Sequence, residues 1–157
     1  MSDGKAEQPR DSIWSRFGAG TLLIAATLAV IWAVSAARGG QDLIGWSYDF
    51  ERAQAEARET GKPLLVNFTA EWCAPCQQMN RHVYSRSDVA DAIAAGFVAV
   101  KIDMTQPGRE EALLNQRFQV MAMPTRLIVT PAGEPIARSI GYVSDHDLLA
   151  WLDRGRP

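Results

Sequence analysis

The sequence predicts an α/β domain with a mixed central sheet flanked by helices, preceded by one N-terminal transmembrane helix. Three observations point there. An uncharged stretch runs from Gly18 to Ala37. Beyond it, helical and strand patterns alternate along the chain, as in domains that cover a sheet with helices. The last two strand patterns are joined by a Pro- and Gly-containing turn rather than a helix, which gives an antiparallel hairpin beside the crossover-linked strands.

Composition narrows the class. The 157 residues are 47% hydrophobic and 22% charged, with 16 Lys+Arg against 18 Asp+Glu. A disordered tail, a collagen and a disulfide-scaffolded toxin are excluded by these values. A formal charge of −2, with no long run of one sign, disfavours nucleic acid as a partner. Only two cysteines occur, Cys73 and Cys76, too close together to staple a fold and suitably spaced for redox or metal chemistry.

Gly18 to Ala37 are 20 residues without an ionisable side chain. At about 1.5 Å per residue they make roughly 30 Å of helix, the thickness of a bilayer's hydrocarbon core. Lys5, Arg10 and Arg16 precede the stretch, and Arg38 and the more distant Arg52 follow it. That bias places residues 1–17 in the cytoplasm and the bulk of the chain on the outer side of the membrane. The competing reading is a cleavable signal peptide, with Val34-Ser35-Ala36 and Ser35-Ala36-Ala37 both resembling small-residue cleavage sites. The apolar stretch exceeds the usual h-region of about 7–15 residues, so a retained anchor is favoured.

Residues 38–47, with two adjacent glycines and no sustained period, are expected as a short linker, and 48–157 as a single domain. Phe50, Ala53 and Ala57 among charges from Asp49 to Thr60 predict a helix ended by Gly61 and Pro63. Leu64 to Thr69 predict a buried strand, Gln77 to Tyr84 and Asp88 to Ala95 two helices, and Phe97 to Asp103 a second buried strand. Arg109 to Gln119 read as an amphipathic helix. Leu127 to Val129 and Ile136 to Ile140 form the hairpin around Thr130 to Glu134, and Ser144 caps a last helix with Asp147 as a partial capping-box match.

The chemistry centres on Trp72-Cys73-Ala74-Pro75-Cys76. Between a strand and a helix, Cys73 falls at or near the helix N-terminus, where free N–H groups and the helix dipole stabilise a thiolate. Cys73 is then the attacking sulfur and Cys76, one turn on, the resolving one. A zinc knuckle is the alternative, but zinc wants four ligands and only His82 and His146 remain as obvious soft ones. Both histidines, and Arg81 and Arg86, are expected at the surface.

Leu64 to Cys76, LLVNFTAEWCAPC, resembles the strand, loop and active site of the thioredoxin superfamily, and Met123-Pro124-Thr125 resembles its cis-proline loop. Gly61-Lys62-Pro63, Val83-Tyr84-Ser85, Asp88-Val89 and the closing helix are most similar to the C-terminal thioredoxin-like domain of DsbD proteins, over about residues 48–155. The resemblance implies a thioredoxin-like fold with Pro124 cis beside the cysteines and the Met123 backbone pairing with an extended substrate segment. It also implies that Trp72 covers one side of the sulfurs. Met121 is expected as core filling. No cofactor is expected beyond the redox-active Cys73–Cys76 disulfide.

Two departures from the family stand out. Relatives carry a buried aspartate six positions before the first cysteine, and here Asn67 stands there. An amide cannot accept the Cys76 proton, so a water or Glu71 would have to serve, and resolution is expected to be slower or to need higher pH. DsbD proteins also carry a multi-span electron-supplying domain, whereas a single span here implies recharging by a separate membrane electron donor. The expected activity is that of a membrane-anchored thiol:disulfide oxidoreductase, a reductase of protein disulfides. Narrower or competing readings are a reductase dedicated to cytochrome c maturation and a non-catalytic metal- or peptide-binding module.

Overall fold

The computed structural model describes residues 23–32 and 40–156, and the chain divides into two units, 1–38 and 39–157. In the first unit, residues 23–32 form helix α1, whose Thr27 hydroxyl donates to the carbonyls of Leu23 and Ile24. Among the described residues no helix is long and apolar enough to cross a membrane. The remainder of the expected span, 18–22 and 33–37, and the segment 1–17 lie outside the described residues.

The second unit runs α2 (Phe50–Thr60), β1 (Leu64–Thr69), α3 (Ala74–His82), α4 (Ser87–Gly96), β2 (Val98–Asp103), α5 (Arg109–Arg117), β3 (Thr125–Val129), β4 (Pro135–Ile140) and α6 (Asp145–Arg154). The four strands lie in the order β2-β1-β3-β4. β1 pairs parallel with β2 and antiparallel with β3, which pairs antiparallel with β4. This is the mixed sheet expected from the hairpin. The turn between β3 and β4 closes through the Thr130 N–H donating to the Glu134 carbonyl, with Gly133 at φ 99°, a conformation glycine adopts without strain.

Alternation along the strands separates two cores. Leu64, Val66 and Phe68 of β1 join Val98, Val100, Ile102, Leu127 and Val129 beneath Phe50, Ala53 and Ala57 of α2 and Leu114 and Phe118 around α5. Leu65, Ala99 and Ile128 face the other way, against Met79, Val83 and Tyr84 around α3, Val89 and Ile93 of α4, and Leu148 and Leu152 of α6. Helices on both faces make all six residues of β1 buried.

Local signals place the helix ends. Asp49 caps α2 by accepting from the Arg52 N–H at 2.9 Å, and Gly61 ends it at φ 72°. Ser144 caps α6 by accepting from the Asp147 N–H, completing the anticipated cap. Two elements begin two or more residues earlier than the sequence predicts. α3 starts at Ala74 rather than Gln77, because the cysteine motif itself supplies its first turn, and β3 starts at Thr125 rather than Leu127, taking Arg126 into the sheet.

The segment 38–47, expected as a free linker, packs on the domain from residue 40 onward. The Leu43 N–H donates to the Tyr84 carbonyl, and Ser47 bridges the edge of β2 by donating to Ala99 and accepting from the Lys101 N–H. Ile44 is buried, and Asp42 accepts from the Trp46 indole N–H at 2.8 Å and pairs with Lys101. An anchored apolar residue and a paired carboxylate convert a linker-like composition into a strap across β2.

Candidate redox site

Cys73 and Cys76 are joined in a disulfide, S–S 2.09 Å and Cα–Cα 5.2 Å. Their placement follows from the chain around them. β1 ends at Thr69, and the Cys73 N–H donates back to the Ala70 carbonyl, turning the chain into α3. Cys73 is the N-cap of α3, with extended backbone at φ −86° and ψ 100°, and its Sγ accepts from the Cys76 N–H at 3.3 Å. Pro75 sits in the first turn, where an N–H would have no helical partner.

These features tune the sulfur. Once the disulfide opens, the N–H groups of the first turn and the positive end of the helix point at Cys73 Sγ, and no acidic residue stands in that turn to oppose them. Cys73 retains 5% exposure and Cys76 2%, so the oxidised pair is nearly closed to solvent, with Cys73 the more open of the two.

The proline loop comes to the same place. The Met123–Pro124 peptide bond is cis, and partly buried Met123 packs against the core cluster that contains both cysteines. Thr125 is buried and donates to the Ala122 carbonyl at 2.6 Å, and the Gly141 N–H donates to the Pro124 carbonyl at 2.8 Å, holding the loop from both sides. Trp72 is 65% exposed, presenting its indole to solvent beside the motif. Met121 is 92% exposed; Val120 takes the core position, so the expectation of core filling at Met121 is corrected.

Asn67 is buried at 1% exposure and its Oδ1 has no hydrogen-bond partner. Glu71 lies at the surface, its N–H donating to the Thr105 hydroxyl and its carbonyl accepting from Gln77. Its carboxylate is not sequestered under α3 as a proton acceptor for Cys76 would be. His82 and His146 are exposed, as expected, and Arg86 pairs with Asp88 and Asp145 at 2.9 Å each. Among the described residues no three His, Cys, Asp or Glu side chains gather as a metal site.

Sequence reasoning missed a polar row under α3. In register across the sheet stand Lys101 on β2, Asn67 on β1, Arg126 on β3 and Ser139 on β4. Arg126 is fully buried; its Nη2 donates to Ser139 Oγ at 2.8 Å and the Gly141 carbonyl at 2.7 Å, while Nε and Nη1 have no partner. Tyr84 is also buried, and burial pushes its hydroxyl up to about 12, the nearby Arg126 guanidinium working in the opposite direction. The signal available was the arginine directly after Met-Pro-Thr, in a strand otherwise made of Leu, Ile and Val.

A thioredoxin-like domain model matches residues 50–156. The thiol:disulfide interchange protein DsbD of Vibrio cholerae is 27% identical over 106 residues, covering 66% of this chain and 18% of that protein. DsbD of Klebsiella pneumoniae is 30% identical over 84 residues, covering 54% of this chain and 14% of that protein. The chain thus spans less than one fifth of the length of these relatives. Among solved structures, a thioredoxin from Thermus thermophilus is 32% identical with a TM-score of 0.63, covering 71% of this chain and 85% of that one. The oxidised C-terminal domain of DsbD from Neisseria meningitidis shares the fold at 20% identity with a TM-score of 0.62, covering 71% of this chain and all of that one. With its redox pair at the head of α3 and the cis-proline loop leading into β3, the chain belongs to the thioredoxin-like domain family.

Proposed function

We propose that this protein is a membrane-anchored reductase of protein disulfides, working on the extracytoplasmic side of a bacterial inner membrane. The observation that carries the chemistry is Cys73 Sγ at the N-cap of α3, accepting the Cys76 N–H while bonded to Cys76. The anchor rests on the uncharged stretch 18–37 and the Lys and Arg before it.

In the reducing direction the Cys73 thiolate attacks a substrate disulfide, forming a mixed disulfide and releasing one substrate thiolate. Cys76 loses its proton and attacks Cys73 Sγ, closing the Cys73–Cys76 bond and releasing the second substrate thiolate. Two electrons pass to the substrate. A separate membrane dithiol donor restores the pair by the reverse exchange. Met123, packed on the cluster that holds the sulfurs, offers backbone groups to an extended substrate segment, and exposed Trp72, next to Cys73 in the chain, offers apolar contact.

Insulin reduction with dithiothreitol tests the reading. The wild-type chain should turn over, Cys73→Ser should fall to the uncatalysed rate, and Cys76→Ser should accumulate mixed disulfide. A potential near that of thioredoxin, about −270 mV, supports a reductase; one near about −120 mV makes the protein an oxidant. Stoichiometric zinc or copper without turnover would favour a binding module instead. Selective reduction of the haem-attachment cysteines of an apocytochrome c, in preference to insulin, would identify the narrower role in cytochrome maturation.

A further inference from the structure

Arg126 is an anomaly on its own terms. It is fully buried, makes no ion pair with any carboxylate of the described residues, and leaves Nε and Nη1 without partners. Buried charges are ordinarily paired, because an uncompensated one loses its hydration with nothing in return. Lys101, on the opposite flank of Asn67, follows that rule: it pairs with Asp42, which also accepts from Trp46 and from the Ile44 N–H. The groups that face Arg126 from the strands and from Tyr84 are uncharged, and Asp42, whose field reaches Tyr84, is already paired with Lys101. Asn67 faces it from β1, Ser139 from β4, the Gly141 carbonyl from the turn after β4, and the un-ionised Tyr84 hydroxyl from the end of α3.

An anion does form in the reaction, at Cys76 in the first turn of α3. Arg126 lies two residues after Pro124, is tied to the proline loop through Gly141, and sits in register with Asn67 on the sheet face that α3 covers. Resting on the reading of Cys73 and Cys76 as the working redox pair, we propose that Arg126 is the counter-charge for the Cys76 thiolate. It stabilises the anion that must form before Cys76 displaces the substrate from Cys73, and so takes over from the proton acceptor that Asn67 cannot be. The proton leaves to water through the open cleft beside α3, whose lining includes Thr69, Gln77 and Asn80 and the charged groups Lys101, Glu71 and Asp103. Even at about 10 Å and an effective dielectric of about 20, a unit charge changes an ionisation equilibrium by roughly tenfold. An aspartate at position 67 would pair with the guanidinium and cancel this field, which gives a physical reason for an amide and a buried arginine to occur side by side.

The test titrates Cys76 alone, in the full chain carrying Cys73→Ser, by alkylation rate against pH. Adding Arg126→Met should lower the thiolate fraction at a given subsaturating pH about tenfold, and Arg126→Lys should restore most of it. With both cysteines present, and at a pH where reduced Cys76 is ionised, Arg126→Met should shift the glutathione equilibrium about tenfold toward the disulfide, a fall of about 30 mV. Asn67→Asp, which keeps the arginine, should move both readouts in the same direction. A folded Arg126→Met protein with unchanged alkylation and glutathione profiles overturns the proposal; if that variant does not fold, unchanged profiles in Asn67→Asp overturn it. Neither readout uses a protein substrate, so lost insulin turnover with shifted profiles would count against the reductase reading alone.

Discussion

The two faces of the sheet are built on different terms. Toward α2 and α5, the strands present Leu64, Val66, Phe68, Val100, Leu127 and Val129, an apolar surface sealed further by the edge-to-face packing of Phe118 on Phe50 and Phe68. Toward α3, α4 and α6 the face begins as apolar, with Leu65, Ala99 and Ile128, and one step along becomes the row Lys101, Asn67, Arg126. The apolar face gains stability from area removed from water, and the polar row gives some of that up. The polar row lies on the side covered by α3, while Cys73 and Cys76 at the head of that helix pack with the apolar cluster, so the two faces differ in the charge they carry and the redox pair belongs to the apolar one.

Substitutions should separate those roles, the largest effect falling on the apolar face. Phe68→Ala removes a fully buried ring that packs edge-on against Phe118, and should cost about 3–5 kcal/mol in urea unfolding. A cost under about 1 kcal/mol would mean that the apolar face is not what holds the fold. The polar row should show instead in pH dependence. Tyr84 is raised to about 12 by burial, so the folded protein holds its proton where the unfolded chain has lost it. The stability from this group is fully present below pH ~10 and is lost as pH rises toward ~12, by about 2–3 kcal/mol. Tyr84→Phe should flatten that alkaline slope in urea midpoints, whereas an unchanged slope would place its origin elsewhere.

The apolar face was legible from the sequence because its residues say the same thing at every level. Leu64 to Thr69 are apolar, β-prone and bounded by Pro63 and the cysteine motif, and the strand has those limits. Asp49, Gly61 and Ser144 announced helix ends that the structure has. Cys73, Cys76 and Pro124 were legible as a motif, and they do come together. The polar face was not legible. An arginine between Thr125 and Leu127 reads as the end of a loop, since burial of that side chain runs against every compositional expectation. Asp42 and Trp46 lie in a glycine-bearing stretch whose order depends on Lys101, some sixty positions later, and no local pattern reports a contact of that range. Met121 erred in the opposite sense, an apolar side chain left at the surface because Val120 already fills the core.

The smallest effect sharpens the contrast between the two flanks of Asn67. Lys101 and Asp42 keep 9% and 19% side-chain exposure, so their pair is neither fully buried nor free in water. Asp42→Asn retains the shape and an oxygen for the Trp46 indole but leaves Lys101 uncompensated. Breaking a fully buried pair costs about 3–5 kcal/mol, and with water reaching both partners the expected loss here is about 1–2 kcal/mol. The loss should be local as well as global: the strap holds β2 through Ser47, so amide hydrogen exchange at Leu43, Ser47 and Lys101 should quicken more than at Phe68. If Lys101 then stays charged but poorly paired, both flanks of Asn67 become cationic, and the Cys76 alkylation profile should move toward lower pH, opposite to Arg126→Met. A shift in the same direction as Arg126→Met would mean that the charge on this face does not act on the sulfur through its field.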